Sequence, residues 1–225
     1  MEAILNSPLF GIVLCGATYS FGVWLNKKTG WVILNPFLIA MTICIVFLSI
    51  TGISIDQFNN GARIVQLFLA PATAVIGVSI YRQRKVLKEN FIPVVLGCSV
   101  SAIVSIGASF SLGYLFNLDE VIVASTVPSA VTSPIAMDIA SNNGGIVSIA
   151  ILCVVITGVS GAILAPYLVK FLKITDPVEI GVAIGASSHV VGTSKALEMG
   201  EVQGAMSGVA IGIAGLATVF LTLFI

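Results

Sequence analysis

GASSHVVGTSKALEMGE, residues 185–201, is the stretch on which the fold turns. It places the single histidine, His189, together with Lys195 and two carboxylates, Glu198 and Glu201, inside an otherwise apolar C-terminal third. The chain has 225 residues, of which 57% are hydrophobic and only 9% charged, and its mean hydropathy is +1.11. A soluble domain carries about 25% charged residues. The composition is therefore that of an integral membrane protein, and the polar stretch is either a break inside the membrane or a connection.

Working outward, six apolar runs are long enough, or nearly so, to cross a hydrocarbon core of roughly 30 Å at about 1.5 Å per residue. They cover residues 9–25, 31–53, 64–81, 91–116, 146–173 and 202–225. Lipid offers no partner for a backbone amide, so these runs must be helices and the fold all-α. Residues 9–25 follow no basic region and precede no small-residue cleavage pattern, which predicts a span and not a leader. Ala70-Pro71 predicts a kink in the third run. Net charge is zero, which leaves no electrostatic footprint for nucleic acid. The cysteines Cys15, Cys44, Cys98 and Cys153 fall singly in four different runs, so neither a metal site nor a disulfide frame is expected.

Arg82, Arg84, Lys85 and Lys88 crowd one short loop, which by the positive-inside rule is cytoplasmic. Counting back puts Lys27 and Lys28 inside and the N-terminus outside; counting forward puts Asp119 and Glu120 outside. Residues 121–145 and 178–201 are then ambiguous, being short, polar and interrupted. If each crosses once, Lys170 and Lys173 fall outside. If each is a re-entrant hairpin, they join the other six inside, so that eight of the ten basic residues are cytoplasmic. The charge count favours hairpins, one entering from each face.

The two broken segments echo each other. One carries Thr132-Ser133 and then Asp138, the other Thr193-Ser194 and then Glu198, each after a span of similar length. Residues 1–225 thus read as one polytopic domain: scaffold spans in 1–90, span-plus-hairpin units in 91–145 and 146–201, and a final span in 202–225. Two such units of opposite orientation make an inverted repeat, a recurring transporter plan. Gly204, Gly208 and Gly212 predict a tight helix contact in the last span.

Thr132 or Ser133 is placed to cap a helix that starts at Pro134, and Thr193 and Ser194 to cap one that starts at Lys195. A helix start presents free N–H groups and about half a positive charge, so two of them together suit a small anion. His189 and Glu198 are the candidates for proton or charge coupling, since ionisable groups within a membrane are functional by default. Against that stands the plainer reading in which Lys195 and Glu198 pair with each other and the hydroxyls bond their own helices. No hydrolase triad, P-loop, metal-ligand set or cofactor fingerprint occurs, which predicts a protein that is not an enzyme and takes no cofactor.

NPFLIA (residues 35–40), APAT (70–73), VTSPIAMDIA (131–140), Gly144-Gly145, ITGVSGAILAPYL (156–168) and GASSHVVGTSKALEMGEVQGAMS (185–207) resemble the LrgB/CidB family over nearly the whole chain. The resemblance implies a multi-pass protein of the bacterial inner membrane, antiholin-like or holin-like, that regulates murein hydrolase activity and cell lysis beside an LrgA/CidA-type partner and forms homo-oligomers. Relatives described as carriers of pyruvate, or of plastid glycolate and glycerate, imply a small monocarboxylate substrate. Carried over residue by residue, the resemblance puts Thr132, Ser133, His189, Thr193 and Ser194 in a transport site. The family pattern has a lysine after the proline here numbered Pro128, where this chain has Ser129; Lys195 is the nearest cationic substitute. Arg63 is a second departure.

Overall fold

The computed structural model describes residues 7–31 and 34–225, and the described residues form helices and their connections, without a strand. In chain order the helices are α1 (Pro8–Thr29), α2 (Pro36–Thr51), α3 (Ile55–Gln66), α4 (Leu69–Arg82), α5 (Arg84–Glu89), α6 (Phe91–Leu115), α7 (Glu120–Thr126), α8 (Ser133–Asn142), α9 (Val147–Phe171), α10 (Pro177–Met199) and α11 (Glu201–Thr222). Several start where the sequence supplies an acceptor ahead of a proline. Ser7 Oγ accepts from Leu9 N, Asn35 Oδ1 from Phe37 N, and Asp176 Oδ1 from Val178 N and Glu179 N, before Pro8, Pro36 and Pro177. Proline at the first helical position forfeits an N–H that would have no partner there anyway.

Four helices are long and apolar enough to cross a membrane: α1, α6, α9 and α11. The protein is thus an all-α membrane protein, but two of the six expected spans are shorter than anticipated. α2 is apolar with 16 residues, about 24 Å of helix. The expected span 64–81 is interrupted, because α3 stops at Gln66 and α4 starts only at Leu69. Pro71 then falls in the first turn of α4, where it needs no kink. Residues 54–63, expected as a polar connection, are mostly the amphipathic helix α3, opened by a capping box between Ser54 and Gln57. Arg63, odd in the sequence, is an exposed side chain in its last turn, where a cation suits the negative end of the helix dipole. The expected side of the N-terminus concerns residues 1–6, and the start of the second span includes 32 and 33; these lie outside the described residues.

The chain divides into two compact units, Met1–Val75 and Ile76–Ile225. In the first, α1 lies directly on α3: a Cβ built on Gly11 would stand 2.6 Å from the carbonyl oxygen of Phe58 and 2.9 Å from Ala62 N, closer than real atoms approach. α2 meets α1 where Thr18 Oγ1 lies 3.4 Å from Cys44 Sγ.

The second unit holds the polar motifs, and in it α10 is a hairpin, not a rod. His189 has φ 40 and ψ −135, and the helix turns back on itself there. Ile180 and Ile184 share an apolar cluster with Ala196, and a Cβ on Gly192 would lie 3.2 Å from the Ile184 carbonyl oxygen. Along an unbroken helix residues 184 and 192 would stand about 12 Å apart. α11 packs against both arms, Gln203 and Ser207 on Gly181 and Gly185 in parallel order, Gly204 and Ser207 on Leu197 and Thr193 in antiparallel order.

The segment formed by α7 and α8 also returns to its origin. Ser125 Oγ accepts a hydrogen bond from Ile146 N at 2.7 Å, so the chain is back at the level of Ser125 after 21 residues. The two hairpins enter from opposite ends of α6. Asn117, Glu120, Asn143 and Ile225 line a groove of about 470 Å³ at its C-terminal end, whereas Asn90, Asp176 and Glu179 line one of about 440 Å³ at its N-terminal end. The first groove holds the mouth of the α7–α8 hairpin and the second the mouth of the α10 hairpin.

Candidate functional site

The hairpin tips converge on Val154 of α9. From one side Val131 and Ala136, which flank the start of α8, bury themselves against Val154 with Ile135 beside them. From the other, His189 Nε2 lies 2.9 Å from the Val154 carbonyl oxygen. A carbonyl only accepts, so Nε2 carries the proton in this bond.

Small residues let the second tip come this close. α9 presents Gly158 and Gly161 one turn apart: a Cβ on Gly158 would stand 2.8 Å from His189 Nε2 and 3.2 Å from Val191 Cβ, and one on Gly161 would stand 2.5 Å from Ser188 Cβ. The ITGVSG motif is therefore a notch for Ser188 and His189. The positive φ of His189, which costs a β-carbon-bearing residue about 1–3 kcal/mol, is held by the buried ring, 4% exposed, in that notch.

The first tip carries its expected residues in the expected place. Thr132 is the N-cap of α8, Ser133 its first residue and Pro134 its second. Both hydroxyls are half-buried, and neither makes a hydrogen bond with the described residues, the capping bond included. Two uncommitted donors thus stand at a helix start.

The second tip requires correction. The helix start expected at Lys195 lies instead directly after His189, and Thr193 and Ser194 are inside the returning arm. Thr193, 1% exposed, donates to the His189 carbonyl oxygen at 2.9 Å and so accepts from Ser207 Oγ at 2.7 Å, which ties the tip to α11. Ser194 is exposed and reaches back to the Val190 carbonyl oxygen at 3.4 Å. Lys195 and Glu198 pair at 2.7 Å, the plainer of the two readings, and Lys195, six residues beyond His189, lies about 9 Å along the arm from the tip. It does not replace a tip lysine. Gly204 makes the tight contact expected of it, lying against Leu197 on the returning arm, while Gly212 faces open space; Gly181 and Gly185 on the entering arm make a further close contact with α11.

Val154, Gly158, Gly161 and Ser207 were not singled out as site residues from the sequence. Gly158 and Gly161 sit in a motif that resembles the family's, but a helix glycine in a membrane has many uses. No group of three or more His, Cys, Asp or Glu side chains that could hold a metal ion occurs among the described residues.

Residues 16–225 match the family model described as "LrgB-like family". Among curated proteins the chain is similar to "Antiholin-like protein LrgB" of Bacillus subtilis (strain 168), 34% identical over 97% of this chain and 95% of the relative. It is also similar to the proteins of the same name from Bacillus cereus (strain B4264) and Bacillus anthracis (strain CDC 684 / NRRL 3495), each 31% identical over 95% of this chain and 93% of the relative. No solved structure matches this chain.

Proposed function

The chain belongs to the LrgB-like family, and from that premise we propose that it is a carrier of a small monocarboxylate such as pyruvate or glycolate, with the substrate held where the two hairpin tips meet. The observation that carries the reading is the first tip: Thr132 and Ser133 offer two half-buried hydroxyls without a partner among the described residues, at the N-terminus of α8. A carboxylate is the natural guest of a helix start with free donors. The opposed hairpins support the reading further, because a site reached from two faces by units of opposite orientation is what an inverted-repeat transporter needs. The grooves beside α6 give one approach from each end.

The name that the relatives carry, antiholin-like, supports a linked role in controlling murein hydrolase activity and lysis. In this proposal the protein resides in the bacterial inner membrane, assembles with further copies and with an LrgA/CidA-type partner, and catalyses no reaction. A second reading, favoured by the same names, is a regulator that moves nothing and acts through that assembly alone. Purified protein in liposomes separates them. The carrier accumulates labelled pyruvate, glycolate or lactate, and loses uptake but not expression when Thr132 is replaced by valine. Absence of uptake for all three substrates, or full uptake by Thr132→Val, overturns the site.

A further inference from the structure

We infer that the Nδ1 atom of His189 is a proton-binding site that opens at the hairpin tip, and that its protonated form donates a hydrogen bond to the carboxylate; this rests on the carrier reading above for the carboxylate, but not for the proton. His189 is buried, with 4% of the residue exposed. Its Nε2 is committed to the Val154 carbonyl oxygen, which fixes the neutral tautomer as Nε2–H and leaves Nδ1 with a lone pair. Nδ1 has no partner among the described residues. Yet no side-chain nitrogen or oxygen that is both fully buried and without a bond occurs among them. Nδ1 is therefore not fully enclosed.

That atom sits at the end of an arm whose helix starts directly after it, and Val154 bonds the ring through its carbonyl oxygen while it packs with Val131 and Ala136 at the α8 start. When a proton from solvent binds Nδ1, the ring becomes an imidazolium with both nitrogens donating. A carboxylate accepting from Nδ1–H then forms a neutral pair, which crosses the apolar interior at far lower cost than the bare anion. The carboxylate binds only the ring that carries this proton, whereas the proton binds with or without the carboxylate.

The surroundings leave this histidine as the group to do it. The titratable residues on the elements packed around the tip are Cys153, Tyr167 and Lys170 on α9, Cys98 and Tyr114 on α6, Glu120 on α7, Asp138 on α8, Glu179, Lys195 and Glu198 on α10, and Glu201 on α11. None of them hydrogen-bonds the ring among the described residues. The one ion pair there, Lys195 with Glu198, is internal to the returning arm and closed on itself.

The chain has one histidine, so ring 15N resonances of histidine-labelled full-length protein in micelles report on His189 alone. The expected result is a pure Nε2–H tautomer at high pH and protonation at Nδ1 on acidification. Pyruvate at tenfold its Kd should raise the midpoint by about one pH unit, because only the protonated form binds it. A ring that does not protonate at Nδ1 at any pH at which the protein stays folded, or that is neutral with the proton on Nδ1, overturns the site. A midpoint unmoved by pyruvate, in protein that still takes pyruvate up, overturns the pairing while sparing the carrier. Titration at Nδ1 in protein that transports no carboxylate supports the proton site and sinks the carrier reading instead. His189→Gln, whose amide can still donate to Val154, should keep the fold and lose the pH dependence of uptake; unchanged pH dependence overturns the proposal.

Discussion

Replacing Gly158 with alanine puts the notch in α9 to a quantitative test. The added methyl carbon would stand 2.8 Å from His189 Nε2 and 3.2 Å from Val191 Cβ, whereas apolar atoms prefer separations of about 3.5–4.0 Å. The ring cannot swing aside without leaving the Val154 carbonyl oxygen, to which Nε2 is bonded at 2.9 Å. Overpacking of a close-packed interior costs ~1–3 kcal/mol, and the buried His189 Nε2–H left without its acceptor ~1–3 kcal/mol. Alanine in place of glycine returns roughly 1 kcal/mol of helix propensity. The net expectation is a destabilisation of about 1–5 kcal/mol, or a roughly 5- to 4,000-fold fall in the ratio of folded to unfolded protein at about 1.4 kcal/mol per decade. The control is Gly212→Ala in α11, where nothing lies within 4 Å of the new Cβ, so that only the gain of up to about 1 kcal/mol remains. Reversible unfolding in mixed micelles, followed by helical circular dichroism, measures both. Equal stability of the two variants would refute the notch, and with it the docking of His189 on α9.

Ser125→Ala removes the acceptor that holds Ile146 N at 2.7 Å; loss of this part-buried bond should cost about 1 kcal/mol and loosen the base of the first hairpin, read as faster hydrogen exchange at residue 146. Thr193→Val and Ser207→Ala break the same buried bond of 2.7 Å, so in a double-mutant cycle the second substitution should cost about 1 kcal/mol less than it does alone; strict additivity would contradict the tie between tip and α11. Lys195→Ala should leave unfolding unchanged within about 0.5 kcal/mol, since its partner Glu198 is 67% exposed along its side chain and surface pairs contribute little. A large loss of stability or of uptake on that substitution would restore Lys195 to the site.

The membrane class was legible because 57% apolar composition and runs of about 20 residues admit only helices in lipid. The first hairpin was legible through charge, since Lys170 and Lys173 join six other basic residues on the cytoplasmic face only if residues 121–145 turn back. The first tip was legible in detail: Thr132 ahead of Ser133-Pro134 is a helix start by local rules alone. The second tip was read four to six residues too late. Threonine and serine at 193–194 look like caps, but a hydroxyl inside a helix can equally bond back to the carbonyl four residues earlier, as Thr193 does to His189. What turns the chain at His189 is tertiary: a left-handed φ held by a carbonyl of α9 and a notch opened by Gly158. No local signal marks a non-glycine residue for that conformation. The break at Leu67–Phe68 was missed for the opposite reason, because Pro71 is the louder local signal and the structure absorbs it in a first turn.

The account stands on the chain turning back twice, from opposite faces. Single cysteines introduced at Asp119, Asn143, Thr175 and Glu201, all exposed positions, in a protein whose four native cysteines are replaced, can be labelled with a membrane-impermeant maleimide in sealed vesicles. The hairpins predict that 119 and 143 react from one face and 175 and 201 from the other. Labelling of 119 and 143 from opposite faces would mean that the first segment crosses the membrane, and would contradict the meeting of the two tips.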